Sequence, residues 1–167
     1  MNIKLSKQDF FDAKKIARGR LITAKNWNLT NQQVDKNRTN ADIELLGVLG
    51  EYAVALCFNL EKPDCCGYDD GVDLWFEDKS IEVKTTYHNH GHLIFKSKER
   101  FIADFAILVA ETDCKMKLKI IGVTSRQKFL EHCFDKDFGN GTVSAMSQTD
   151  LQQPETFWRY LIEKQYA

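Results

Sequence analysis

The chain has 167 residues, 43% of them hydrophobic and 28% charged, which is the length of one domain and a composition that argues against disorder. A formal net charge of −1 and a pI of about 6.4 exclude a global positive field, so any contact with nucleic acid must use local basic patches. No stretch approaches ~18 uninterrupted apolar residues and the first seven residues lack a signal-peptide core, so no membrane partner and a cytoplasmic location, in a cell or its host, are expected. The five cysteines (Cys57, Cys65, Cys66, Cys114, Cys133) are odd in number and lack C-x-x-C spacing, which fits free thiols in a reducing compartment.

Ser6, with Asp9 three residues later, marks a helix start, and Phe10, Phe11, Ile16 and Ala17 follow at helical spacing. Lys14, Lys15, Arg18 and Arg20 give that helix a basic strip suited either to water or to phosphate. Residues 26–40 read as a polar loop, whose five asparagines with Lys25, Lys36 and Arg38 suit the same two roles. A second helix opens at Thr39 or Asn40 and runs to about Phe58. From Leu45 to Leu60 it carries one charged residue, Glu51, so it should be buried nearly all round.

Residues 72–76 and 81–86 look like two strands joined by the polar turn Glu77-Asp78-Lys79-Ser80, and 93–95 like a third. The run 104–110 is apolar enough for a strand buried on both faces, with 118–123 as its antiparallel neighbour. Ser125 caps a short helix with Phe129 and Leu130, and Asn140-Gly141 turns the chain into a strand at 142–146. Pro154 opens a last helix with Phe157, Trp158, Leu161 and Ile162 on one face. No repeat, low-complexity tract or linker interrupts this order. The expectation is one mixed α/β domain over residues 1–167, a central sheet covered by helices.

The first hairpin carries the chemistry. With Glu77 and Asp78 central in the turn, Phe76 faces Lys79, Trp75 faces Ser80, Leu74 faces Ile81 and Asp73 faces Glu82. Opposed residues share a face with Cβ atoms ~5 Å apart, so Val72, Leu74, Phe76, Ile81 and Val83 fall on an apolar face and Asp73, Glu82 and Lys84 on the other. Two opposed carboxylates repel, and a divalent cation turns the repulsion into binding. Mg²⁺ takes one or two carboxylates plus waters and phosphate oxygens. The Val83 carbonyl is a further ligand candidate, and Lys84 stands where it could orient or deprotonate an attacking water. Together these groups supply what phosphodiester hydrolysis needs. The plain alternative is a solvent-facing hairpin with wet charges.

Glu51 adds weight, because a lone carboxylate in so apolar a helix is costly to bury unless paired or bound to metal. Glu44, seven residues earlier, is its rival, but Glu51 lies deeper in the apolar stretch and follows Gly47 and Gly50, which allow close backbone approach. Leu46-Gly47-Val48-Leu49-Gly50-Glu51 on a helix, Asp73 on a strand and Glu82-Val83-Lys84 on the next strand resemble the PD-(D/E)XK nuclease superfamily over about residues 40–125. Val72 stands where the signature name has proline. The resemblance implies a restriction-endonuclease-like fold, a central mixed β-sheet flanked by helices, and Mg²⁺-dependent (or Mn²⁺-dependent) hydrolysis of DNA. It implies that Asp73 and Glu82 hold the metal, that Lys84 serves the water, and that Glu51 supports the metal directly or through water. Many compact members, phage and mobile-element enzymes and junction resolvases among them, act as homodimers, so by analogy a homodimer is implied too.

Other signals stay open. His88, His90 and His92 alternate after the catalytic strand and read as a zinc site, a loop near substrate or plain surface, with His88 the one nearest Lys84. Thr86 shares the parity of Glu82 and Lys84, so its hydroxyl could meet a phosphate. Lys96, Lys98 and Arg100 alternate between Phe95 and Phe101; if extended they project to one side and could track a DNA backbone, or merely protect an edge. A nucleic-acid-binding or regulatory protein without cleavage is the alternative function, and a structural zinc protein a third.

Overall fold

Two capping boxes set the helical side of the fold. Ser6 N–H donates to Asp9 Oδ2 at 2.9 Å and Asp9 N–H to Ser6 Oγ at 3.1 Å, opening α1 (Lys7–Asn26). Thr39 and Asp42 reciprocate in the same way at the start of α2 (Asn40–Phe58), which ends on Asn59 in the left-handed region. The computed structural model describes residues 1–26, 38–64, 71–88 and 90–165. Most of the loop expected over 26–40, along with Cys65 and Cys66, lies outside the described residues.

Five strands form a mixed sheet: β1 (Asn2–Lys4), β2 (Leu74–Phe76), β3 (Lys79–Thr86), β5 (Phe105–Glu111) and β6 (Lys117–Ser125), in the order β1-β6-β5-β3-β2. β3 and β5 run parallel, with Glu82 beside Ala106 and Lys84 beside Leu108, and every other pair is antiparallel. A second, antiparallel sheet holds β4 (His92–Phe95), β8 (Thr142–Ser147) and β7 (Phe134–Asp137) in that order. Ser125 accepts the Lys128 N–H to cap α3 (Arg126–His132), and α4 (Pro154–Gln165) closes the described chain. Among the described residues no helix is long and apolar enough to cross a membrane.

The central strands are covered twice. Leu74, Ile81, Val83, Ile107 and Val109 meet α1, α2 and α4 through Ala13, Val48, Val54, Phe157 and Leu161. The reverse face of β5, Ala106 and Leu108, packs with Leu93, Phe95 and Met146 of the second sheet and with Phe101 and Phe129. This two-sided cover explains why β5 reads as a continuous apolar run rather than an alternation. At Gly50 the helix α2 touches β3 so closely that a Cβ there would lie 2.1 Å from Thr85 Oγ1. Gly47, by contrast, faces open space and makes no such approach.

Two strands were not expected from the pattern. β1 is three residues long, and β7 (Phe-Asp-Lys-Asp) is exposed throughout and lacks apolar alternation. The expected strand at 72–76 begins at Leu74, and Val72 packs against the second cluster rather than beside Leu74. The chain leaves the ladder at this point. Cys57, Cys114 and Cys133 are free thiols.

Candidate active site

The turn Glu77-Asp78, with Glu77 at φ 51°, fixes the hairpin register: Phe76 pairs with Lys79, Trp75 with Ser80 and Leu74 with Ile81. One step further, Asp73 N–H donates to the Ile81 carbonyl at 2.9 Å, one residue out of that register, so the ladder does not continue to the expected pairing of Asp73 with Glu82. The backbone ladder stops there. The next donor on β3, Val83 N–H, goes to the Asp73 carboxylate, Oδ2, at 2.6 Å. In a strand the N–H and C=O of one residue point to the same side, so the Val83 carbonyl faces the same margin of β3.

Glu82 lies on the face of β3 that looks toward the second sheet. Its side chain is 5% exposed and forms an ion pair with Lys84, which is 36% exposed. The Lys84 ammonium also sits 5.3 Å from the centroid of the Phe95 ring on β4, a cation–π contact. A hairpin of simply wet charges does not describe Glu82. The start of β3 is pinned as well, because the Asp104 carboxylate accepts Ser80 N–H and Oγ–H, both at 2.9 Å. Those bonds, the backbone one foremost, hold the Asp104 carboxyl below its usual range.

Glu51 projects from the middle of α2 and is 3% exposed. Both of its oxygens are taken by the Arg20 guanidinium, Nη1 to Oε1 at 2.6 Å and Nη2 to Oε2 at 2.8 Å. Arg20 Nη1 also lies 3.8 Å from Glu44, so the two rival carboxylates of α2 share one cation. Burial works against the Arg20 charge, yet Glu51, with Glu44 and Asp73 beyond it, raises the guanidinium pKa above its ordinary value. Arg20 is the residue that sequence reasoning missed, since it stands in a basic strip with Lys14, Lys15 and Arg18. Its signal was there: Arg20 continues the buried stripe Ala13, Ile16, Ala17 at i+7, i+4 and i+3.

The remaining candidates are spread more widely. Thr86 ends β3, and its hydroxyl accepts the His88 N–H at 3.1 Å. His88 and His90 are exposed, with His90 Nδ1 3.3 Å from Gln148 Nε2, while His92 packs edge-on against Phe134 and tilted against Phe138. The three imidazoles thus have separate surroundings. Lys96, Lys98 and Arg100 do not form an extended row, because residues Lys98–Arg100 make a 3-10 turn. The reason is Phe101, which is fully buried and stacks on Phe95 with centroids 4.5 Å apart. An extended segment would hold those two rings about 20 Å apart.

Among the described residues no three His, Cys, Asp or Glu side chains form a cluster that could enclose an ion. Mg²⁺ does not require one, since it keeps several waters and uses one or two carboxylates. Asp73, Glu82 and the Val83 carbonyl are an all-oxygen, hard donor set of that kind, and the buried Glu82 already carries a cationic partner. No family model, no curated protein and no solved structure matches this chain.

Proposed function

We propose that the protein is a metal-dependent DNA endonuclease with a restriction-endonuclease-like fold, hydrolysing phosphodiester bonds at the margin where β2 leaves β3. The observation that carries this reading is that Asp73, bonded to Val83 N–H, and the buried Glu82 with its partner Lys84 are held on and beside the same residue of β3. Glu51 stands on the buried helix α2, held by Arg20.

Asp73, Glu82 and the Val83 carbonyl would hold Mg²⁺ or Mn²⁺, which when bound supplies charge neutralisation at the phosphate and a more acidic water. Asp73 is kept in place by its bond to Val83 N–H, and Glu82 by Lys84. Lys84 pairs with Glu82 and is partly open to solvent, so it orients the attacking water and takes part in its deprotonation. Thr86 at the end of β3 and His88 just past it would meet the flanking phosphates. Lys96, Lys98 and Arg100 add local positive charge near β4 that a chain of net charge −1 needs for DNA. The analogy with compact nucleases extends to a homodimer.

The test is incubation with supercoiled plasmid, single-stranded DNA and a four-way junction, in Mg²⁺ or in EDTA. Cleavage in Mg²⁺ alone supports the proposal. Binding without cleavage of any of the three would replace it with a nucleic-acid-binding protein.

A further inference from the structure

The second sheet turns Leu93, Phe95 and Met146 inward, where they are buried. Ile94 pairs with Ala145 and Ala145 with Phe134, so these three share the opposite, outer face. His92 and Lys136 stand on that face too, each two residues along its strand. The His92 ring lies 5.8 Å from that of Phe134 and 5.3 Å from that of Phe138, the first residue past β7. Phe138 thus joins the same cluster. Phe134 and Phe138 are each 38% exposed and Ile94 36%, so large apolar groups meet water side by side rather than singly.

The charges of β7 are sorted about this face. Its sequence Phe-Asp-Lys-Asp alternates, which sends Phe134 and Lys136 outward and both aspartates the other way. Asp135 is engaged there by the Ser144 hydroxyl, which donates to it at 2.8 Å. Asp137 accepts the N–H of Gly139 at 2.6 Å and of Gly141 at 3.2 Å. Lys136 stays on the aromatic side, its ammonium 5.0 Å from the centre of the Phe138 ring. Among the residues of these three strands, none on the outer face is acidic. In a chain of net charge −1, this face is therefore locally cationic as well as aromatic. Rings beside a lysine suit a partner with flat apolar groups on a negative backbone, which is an unpaired nucleic-acid strand. A duplex hides its base faces and would offer this surface only phosphates.

We propose that the outer face of β4, β8 and β7 binds single-stranded nucleic acid, with bases stacked on Phe134, Phe138 and His92 and the backbone beside Lys136. This rests on the nucleic-acid reading above for its partner, not on the cation site, and it adds the form of the substrate. Phe95, on the reverse face of β4, is the ring that the Lys84 ammonium meets, so the platform and the proposed chemistry share a strand.

The probe is a fluorescein-labelled oligothymidine of about 16 nucleotides, the upper site size of one stacking platform. It is titrated with the full chain in EDTA, where no metal-dependent cleavage intervenes, and read by anisotropy. Phe134→Leu and Phe138→Leu keep an apolar side chain but remove the ring. Each should weaken binding about ten-fold, the loss of one stacked base, and Phe138→Tyr should bind as wild type does. Lys136→Gln should reduce the slope of log Kd against log salt by about 0.7, one phosphate contact on a single strand. Melting of each variant is recorded; should a leucine variant fail to fold, the exposed Lys136→Gln carries the test. Equal affinity and equal salt slope in wild type and all variants overturns the platform, as does wild-type binding of a duplex but not of oligothymidine. Either result leaves the nuclease reading standing. Binding of neither form, with no cleavage, overturns both. A wild-type dimer that Phe138→Leu dissolves, with oligothymidine affinity unchanged, assigns the face to a second copy and overturns the proposal as well.

Discussion

The Asp73 carboxylate receives the Val83 N–H at 2.6 Å, so a side chain, not a strand, satisfies β3 where β2 ends. This gives Asp73 two separable duties, one to the fold and one to the chemistry. Asp73→Asn keeps an oxygen acceptor for Val83 and should melt near wild type. Asp73→Ala strands a buried N–H and should cost about 1–3 kcal/mol. Both should lose Mg²⁺-dependent cleavage. Equal melting of the two variants would show that the bond does not anchor the margin.

Gly50 and Thr85 make the contact that seats α2 on β3. An added Cβ would come within 2.1 Å of Thr85 Oγ1 and 3.3 Å of its Cβ. Gly50→Ala should therefore destabilise the protein by about 1–3 kcal/mol, as an overpacked core does. Pairing it with Thr85→Ala removes the hydroxyl and should recover most of the loss. Chemical denaturation of the two single variants and the double variant measures the coupling directly, and strict additivity would contradict the contact.

Asp9 is 6% exposed and accepts from the Lys62 ammonium at 2.7 Å and from Ser6. Burial alone would raise its carboxyl, but Lys62 and Ser6 prevail and hold it below the ordinary value. A carboxyl depressed in the folded state stabilises fully above its unfolded pKa and loses that contribution as pH falls through the folded one. Asp9→Asn should thus be less stable than wild type by about 1 kcal/mol at pH 7, the usual worth of such a cap. The difference should shrink once the pH drops below about 4, the ordinary carboxylate range. A difference independent of pH would assign the effect to shape rather than charge.

Local chemistry made much of this fold legible. The caps at Ser6, Thr39, Ser125 and Pro154 announce their helices, because a cap acts within one turn of chain. The polar turn at Glu77 and Asp78 sets the register from Phe76–Lys79 to Leu74–Ile81, and no tertiary knowledge is needed for it; the step beyond, Asp73 against Glu82, is not continued because Asp73 N–H bonds the Ile81 carbonyl instead. Arg20 was harder to read, since its partner lies 31 residues away and a basic helix face looks the same whether it meets water or a buried acid. β7 escaped because an exposed edge strand needs no apolar alternation. Lys96, Lys98 and Arg100 misled through their spacing. The stacking of Phe95 on Phe101 bends that segment, and such a pairing is invisible to a period-two pattern.

Lys84 is the residue whose proposed duty is most directly chemical: it is partly exposed and also partners the buried Glu82, so folding is recorded beside activity. The decisive measurement is the single-turnover rate of cleavage of one DNA substrate at saturating Mg²⁺ by wild type and Lys84→Met, with melting of both recorded. The account predicts a rate lower by a factor of about 10²–10⁴ in a protein that still folds and binds DNA. Cleavage by a folded Lys84→Met protein at the wild-type rate would contradict it.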